Sequence, residues 1–233
     1  LGSSGAVTVA TVKALNLFYQ LNMDRLTQFK IAALAHLAIQ GNGSCGDIAA
    51  SCYGGWLAFS TFDHDWVLTQ QKQRSLTDLL TADWPGLSIR PHTVPKTLRL
   101  LIGWTGSPAS TSDLVDQVYQ SKEAKETAYA DFLNASKSCV NRLIDGFLNE
   151  DSQTIKKMNT ENRKLLVGLS ALTGVLIETP ALKKLCDLAE TYRGAAKSSG
   201  AGGGDCGIVI VDQKTGILPL MSAWEKAAII PLP

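Results

Sequence analysis

Between a long helical stretch and the apolar run Ile208–Val211 lies Lys197-Ser198-Ser199-Gly200-Ala201-Gly202-Gly203-Gly204-Asp205-Cys206-Gly207. Glycines this dense let a chain adopt backbone conformations closed to other residues, at an entropic cost that a plain linker before a strand has no need to carry. The segment therefore reads as a shaped turn at the entry to a strand, with a flexible surface loop as the plainer alternative. A second small-residue loop, Leu1-Gly2-Ser3-Ser4-Gly5-Ala6, runs directly into a helical pattern from Val7 to Leu21. Small residues let backbone amides approach an anion closely, and the helix N-terminus adds about half a positive charge, so this arrangement suits phosphate. It is not a Walker A loop, because no Gly-Lys-Ser/Thr closes it, and standing alone it serves equally well as a helix cap.

Asp24 is placed to cap a second helix through Ile39, with Leu26, Phe29, Ala33, Leu34 and Leu37 at helical spacing and Gly41 as its stop. The turn Gly41–Asp47 is followed by small residues and then by Tyr53–Phe59, which reads as a strand. Leu87–Arg90 and Leu98–Trp104 are further strand candidates, and Ser110-Thr111-Ser112 is placed to cap a helix from Asp113. From Asp113 to Arg193 the pattern is almost continuously helical, with breaks at Glu150-Asp151 and at Thr179-Pro180, where the proline suits a first turn. The chain closes with a strand at Ile208–Val211, a helical Ser222–Ala228 and a strand at Ile229–Leu232.

At 233 residues and 45% hydrophobic, the chain can bury the core of one large domain or two small ones. Its 22 basic and 21 acidic residues are balanced, and no basic stripe interleaved with aromatics argues for nucleic acid. No apolar run approaches the roughly 20 residues of a membrane span, so the chain reads as soluble. Cys45, Cys52, Cys139, Cys186 and Cys206 form no Cys-x-x-Cys pair, which suits reduced thiols in a cytoplasmic protein. His36, His64 and His92 are not at zinc-ligand spacing.

Phosphoryl transfer needs donors for phosphate oxygens, an anchor for a metal and a group that manages the acceptor, because it rests mostly on positioning and electrostatics. The sequence offers each kind. The first loop brings amides and the hydroxyls of Ser3 and Ser4, Lys197 brings a charge beside the second loop, and Asp47 brings a carboxylate in a tight turn. Each also has a plainer reading, Asp47 as a turn cap and Lys197 as a solvated surface lysine.

Leu-Gly-Ser-Ser-Gly-Ala before a helix resembles the central phosphate loop of the galactokinase, homoserine kinase, mevalonate kinase and phosphomevalonate kinase superfamily, and Ser199–Asp205 resembles its third motif. Gly-Asn-Gly-Ser-Cys-Gly-Asp at 41–47, Gly-Trp-Thr-Gly at 103–106 and Ala-Lys-Ser-Ser-Gly-Ala-Gly-Gly-Gly-Asp-Cys-Gly at 196–207 resemble its bacterial phosphomevalonate kinases, over essentially the whole chain. The resemblance implies an α+β fold. Residues 1–92 would be the remainder of a ribosomal-S5-like ATP-binding domain, and residues 93–233 a ferredoxin-like C-terminal domain. It also implies a reaction, ATP plus 5-phosphomevalonate giving ADP and 5-diphosphomevalonate in isoprenoid precursor synthesis.

By the same resemblance, Leu1, Gly2, Ser3, Ser4, Gly5 and Ala6 would embrace the ATP phosphates, with Ser4 as the Mg²⁺ ligand. Asp47 would orient or deprotonate the attacking oxygen of the substrate. Ser44, Lys197 and Ser198 would hold the substrate's phosphate or carboxylate, and Ser199, Gly200, Ala201 and Gly202 would close over the transferring group. The acceptor is a phosphate with a second pKa of about 6, so a strong base is not essential. Where mevalonate kinases carry a magnesium-binding glutamate on the second helix, this chain has His36, and imidazole is a poor ligand for Mg²⁺. The superfamily's first motif, adenine-binding strands and a further lysine are expected upstream of Leu1. Alternatives within the resemblance are a mevalonate kinase, another small-molecule kinase or a non-catalytic ATP-binding relative. A monomer or homodimer, without nucleic-acid or membrane partners, is expected.

Overall fold

The computed structural model describes residues 2–41, 43–107, 114, 117–118 and 126–232. Mixed helices and strands make an α+β protein, divided into two compact units, Leu1–Thr93 and Val94–Pro233.

The first unit runs α1 (Ser3–Phe18), α2 (Arg25–Gln40), α3 (Gly46–Tyr53), β1 (Trp56–Ser60), α4 (His64–Gln73), α5 (Leu76–Thr81) and β2 (Ser88–His92). β1 and β2 pair antiparallel, with Trp56 opposite His92 and Ser60 opposite Ser88. Ala32, Ala33 and Ala49 are fully buried with Phe29 and Ile48, small side chains that let α2 and α3 pack closely into one core. Lys30 is buried in the same unit. Its ammonium donates to the carbonyls of Leu80 and Ala82, both at 2.8 Å, and so satisfies the end of α5.

Asp24 caps α2 as its sequence position suggests, its carboxylate accepting from the Thr27 amide at 2.7 Å. Hydrogen bonds from Thr27 hold the Asp24 carboxyl below its ordinary value of 3.8. The stability this gives is complete above pH 3.8 and is lost as pH falls through the folded-state pKa. Asp24→Ala is therefore expected to cost about 1 kcal/mol at pH 7. In urea melts the gap from the parent should close at acid pH, and an undiminished gap there would count against the cap.

The second unit runs β3 (Leu98–Trp104), α6 (Glu126–Leu148), α7 (Ser152–Thr173), α8 (Pro180–Thr191), β4 (Ala195–Ser198), β5 (Cys206–Asp212), α9 (Leu218–Lys226) and β6 (Ile230–Leu232). Its strands lie in the order β4-β5-β3-β6, every pair antiparallel, which with α8 and α9 in the two crossovers is the split βαβ, ferredoxin-like arrangement. Leu185 and Cys186 of α8, Leu220 and Trp224 of α9 and Val209 and Val211 of β5 form the core beneath it. Gly103 and Gly207 face each other across β3 and β5. A Cβ on either would come within 2.8 Å or 2.6 Å of Leu185, so the glycine pair makes the hollow that seats this leucine. Asn159 of α7 donates to the Ala195 carbonyl at 2.8 Å and covers β4, a sheet-edge strand.

Several elements differ from their sequence expectation. α1 begins at Ser3 rather than Val7, inside the small-residue loop itself. Tyr53 ends α3 and does not open a strand, because Gly54 and Gly55, with φ of 72° and 66°, break the chain before β1. α4 and α5 were not expected. Lys197 and Ser198 lie on β4 and not in a loop. The breaks at Asp151 and Pro180 stand, Asp151 capping α7 and Pro180 opening α8. α9 starts at Leu218, four residues before the expected Ser222. The capping segment Ser110–Ser112 and the helix start at Asp113 lie outside the described residues. No helix among the described residues is long and apolar enough to cross a membrane.

Candidate active site

Gly2 is the N-cap of α1, at φ 66° and ψ 40°, a left-handed conformation that glycine adopts without penalty. Its carbonyl accepts the Ala6 amide at 3.0 Å and starts the helix. Ser3, Ser4 and Ala6 are exposed around this start, while Gly5 is buried; Leu1 lies outside the described residues.

Asp47 and Ile48 lie against Gly5. Asp47 sits in the first turn of α3 and not in an open turn, with Cys45 as the left-handed N-cap. A Cβ built on Gly5 would fall 2.3 Å from Asp47 Oδ2, and one on Gly2 would fall 2.6 Å from its Cβ and 2.9 Å from Oδ2. The carboxylate is thus pressed against the backbone of the first turn of α1, and neither glycine can carry a side chain without displacing it. The positive ends of two helices, α1 and α3, favour a carboxylate there.

Ser4 Oγ accepts from Gln40 Nε2 at 3.3 Å. Gln40 was missed in the sequence, although it falls one turn beyond His36 on the same face of α2. His36 itself is buried, its Nε2 facing Gly43, where a Cβ would lie 3.2 Å away. Ser44 is exposed and its Oγ accepts the Gly46 amide at 3.3 Å. Burial, and then the charge of Asp47, push the Cys45 thiol up to about 12, so this cysteine is an inert neighbour.

In the second unit, Lys197 stands opposite Ile208 and Ser198 opposite Gly207 across β4 and β5. Ser198 is buried and Lys197 partly so. Burial lowers the Lys197 pKa, against the influence of the Cys186 and Cys139 thiols. No carboxylate pairs with this ammonium among the described residues, which sets it apart from a solvated surface lysine.

The loop beyond β4 is tied down at its ends and middle. The Ser199 amide donates to Cys206 O at 2.8 Å, and the Gly203 amide to Ile177 O at 2.7 Å. Asp205 takes the Ser107 carbonyl through its amide at 2.6 Å, and its own carbonyl accepts from the Thr105 amide and hydroxyl. Gly202, at φ 81°, passes so close to Ile177 that a Cβ would lie 2.3 Å from its carbonyl oxygen. Gly200 and Ala201 form the bend between these ties, and their amides donate to no backbone acceptor among the described residues. The segment is a built turn whose Gly200 and Ala201 amides have no backbone acceptor, and whose neighbouring Lys197 ammonium has no carboxylate partner, among the described residues.

The likeness to known proteins follows the same two regions. The N-terminal domain of GHMP kinases matches residues 1–55 and their C-terminal domain residues 143–227. A phosphomevalonate kinase of Streptomyces sp. (strain CL190) is 40% identical over 100% of this chain, which spans 63% of that relative. A solved Listeria innocua protein superposes with a TM-score of 0.94 at 42% identity, over 100% of this chain and 65% of its own. Streptococcus pneumoniae phosphomevalonate kinase, in complex with phosphomevalonate and AMPPNP, superposes with a TM-score of 0.88 at 34% identity, over 100% of this chain and 68% of its own. With family domains matching both regions and phosphomevalonate kinases matching along its full length, the chain belongs to the GHMP kinase family.

Proposed function

We propose that this chain carries the phosphoryl-transfer machinery of a phosphomevalonate kinase, moving the terminal phosphoryl group of ATP to the phosphate of 5-phosphomevalonate. The observation that carries the reading is the Asp47 carboxylate seated against Gly2 and Gly5 at the start of α1, in the same first turn where Ser4 is exposed. Amides and hydroxyls at that helix start receive nucleotide phosphate, Leu1 to Ala6 forming the embrace. The acceptor follows from the likeness to phosphomevalonate kinases, one of them solved with that substrate.

Among the described residues no cluster of three or more His, Cys, Asp or Glu could cage a metal ion. That suits magnesium, which is bound through one or two side-chain oxygens together with substrate phosphates. Ser4 and Asp47 carry such oxygens, and His36 does not, because imidazole offers only nitrogen. When bound, magnesium would neutralise charge on the phosphates.

The acceptor oxygen is already ionised at neutral pH, so Asp47 serves to orient it more than to remove a proton. Lys197 meets the substrate's phosphate or carboxylate, with Ser198 and Ser44 as hydroxyl donors and Ser199 to Gly202 closing over the transferring group. In this reading residues 1–92 belong to an ATP-binding domain and 93–233 to a C-terminal domain of a cytoplasmic enzyme, monomeric or homodimeric. Five free, buried cysteines accord with a reducing compartment. ADP release by the complete parent protein, with phosphomevalonate and mevalonate offered separately, tests the proposal. Turnover with phosphomevalonate alone is expected; a preference for mevalonate would change the acceptor, and no turnover with either would sink the enzyme reading.

A further inference from the structure

The connection between α7 and α8 has glycine loop on one side and a charge cluster on the other. Ile177 lies in it, 4% exposed, with its carbonyl accepting the Gly203 amide at 2.7 Å and abutting Gly202. Its own amide is held by Ser170 Oγ at 3.1 Å and by Val175 O at 2.9 Å, and Ser170 Oγ in turn donates to Val175 O. The next residue, Glu178, grips Arg163 of α7 through both oxygens, Nε to Oε2 at 2.7 Å and Nη2 to Oε1 at 2.8 Å. Arg163 is anchored again by Asp187 at 2.8 Å and Glu190 at 2.6 Å, both on α8. The side chains of Arg163 and Glu178 are only 11% and 9% exposed.

A buried ion pair adds little stability over an apolar pair of the same size, because desolvation offsets the attraction. What a two-pronged guanidinium contact does supply is fixed geometry. Here that geometry is passed one residue along the backbone to the carbonyl on which the glycine cradle hangs. We infer that Arg163 and Glu178 are positioning residues for the 199–205 loop, setting its height above the sheet through the Ile177 carbonyl and so tuning its grip on the acceptor. The second half of that inference rests on the reading of the loop as the acceptor's cradle.

Glu178→Gln in the complete enzyme is the informative variant, because Arg163 keeps Asp187 and Glu190 and the fold is retained. Amide hydrogen exchange at Gly203 is expected to rise about tenfold while Val209 and Ile210 of β5 keep their protection, since local opening needs no global unfolding. The KM for phosphomevalonate should rise about tenfold with the KM for ATP unchanged, as for a misplaced binding group. Arg163→Lys, which keeps the charge and loses the fork, should behave as Glu178→Gln does.

Unchanged exchange at Gly203 would overturn the inference. So would a loss of protection shared by β5, an equal rise in both KM values, or an Arg163→Lys variant whose Gly203 exchange and KM values match the parent's. A parent protein that turns over no acceptor would end the kinase reading instead, and the exchange measurement would then decide the positioning claim alone.

Discussion

Asp47→Asn in the complete enzyme is expected to lower kcat by about two to three orders of magnitude, the scale seen when a charge or donor aimed at a transferring group is removed. Asparagine keeps the shape that fits against Gly2 and Gly5, so folding should be nearly unaffected and the melting curve should overlay that of the parent. What is lost is a negative oxygen set between the positive ends of two helices, a place that nucleotide phosphate approaches in the proposed reading. A carboxylate and phosphates crowded at one helix start repel unless a cation stands between them, so the variant should also weaken the dependence of rate on magnesium. Single-turnover measurements across a magnesium titration would show both effects. A variant with half the parent's rate would reduce Asp47 to a first-turn residue of α3.

Lys197→Met is expected to separate stability from function in opposite directions. Methionine matches the length of the lysine stem but carries no charge; in the proposed reading acceptor KM should rise about a hundredfold, as on loss of a buried charged partner, while the melting temperature rises because no charge is left to desolvate. The direction follows from the lowered pKa. The folded state holds the Lys197 proton less tightly than the unfolded chain does, so the charged lysine weakens the fold at neutral pH. The parent should recover stability as pH climbs through the folded-state pKa towards 10.5, and Lys197→Met should lack this rise. Thermal melts at neutral pH and near pH 10 would show the two proteins converging. A methionine variant that is less stable and binds the acceptor normally would make Lys197 a structural residue.

Legibility in the sequence followed the locality of the cause. Asp24, Asp151 and Pro180 act on the turn beside them, and the helix boundaries they set were readable. The glycines at 2 and 202 announced tight backbone, although their partners, Asp47 and Ile177, could be named only from coordinates. α4 escaped notice because its segment His64–Gln73 is polar and buries Val67 alone. α3 is eight residues of mostly small side chains that become helical against α1 and α2. β4 is Ala-Ala-Lys-Ser, with no β-branched residue, and is a strand only because β5 pairs with it. Gln40 at Ser4, and Glu178 at Arg163, are joined by folding over sequence distances that periodicity does not report.

That Lys197 sits on a paired strand rather than within the loop changes where entropy is lost. The backbone freedom of this residue disappears when β4 docks on β5, long before any ligand arrives. In the proposed reading, an acceptor at Lys197 would meet a cation whose main chain is already ordered, with only the bend at Gly200 and Ala201 left to settle around it. On that reading, affinity for the acceptor would be decided during folding, by the pairing of a four-residue strand.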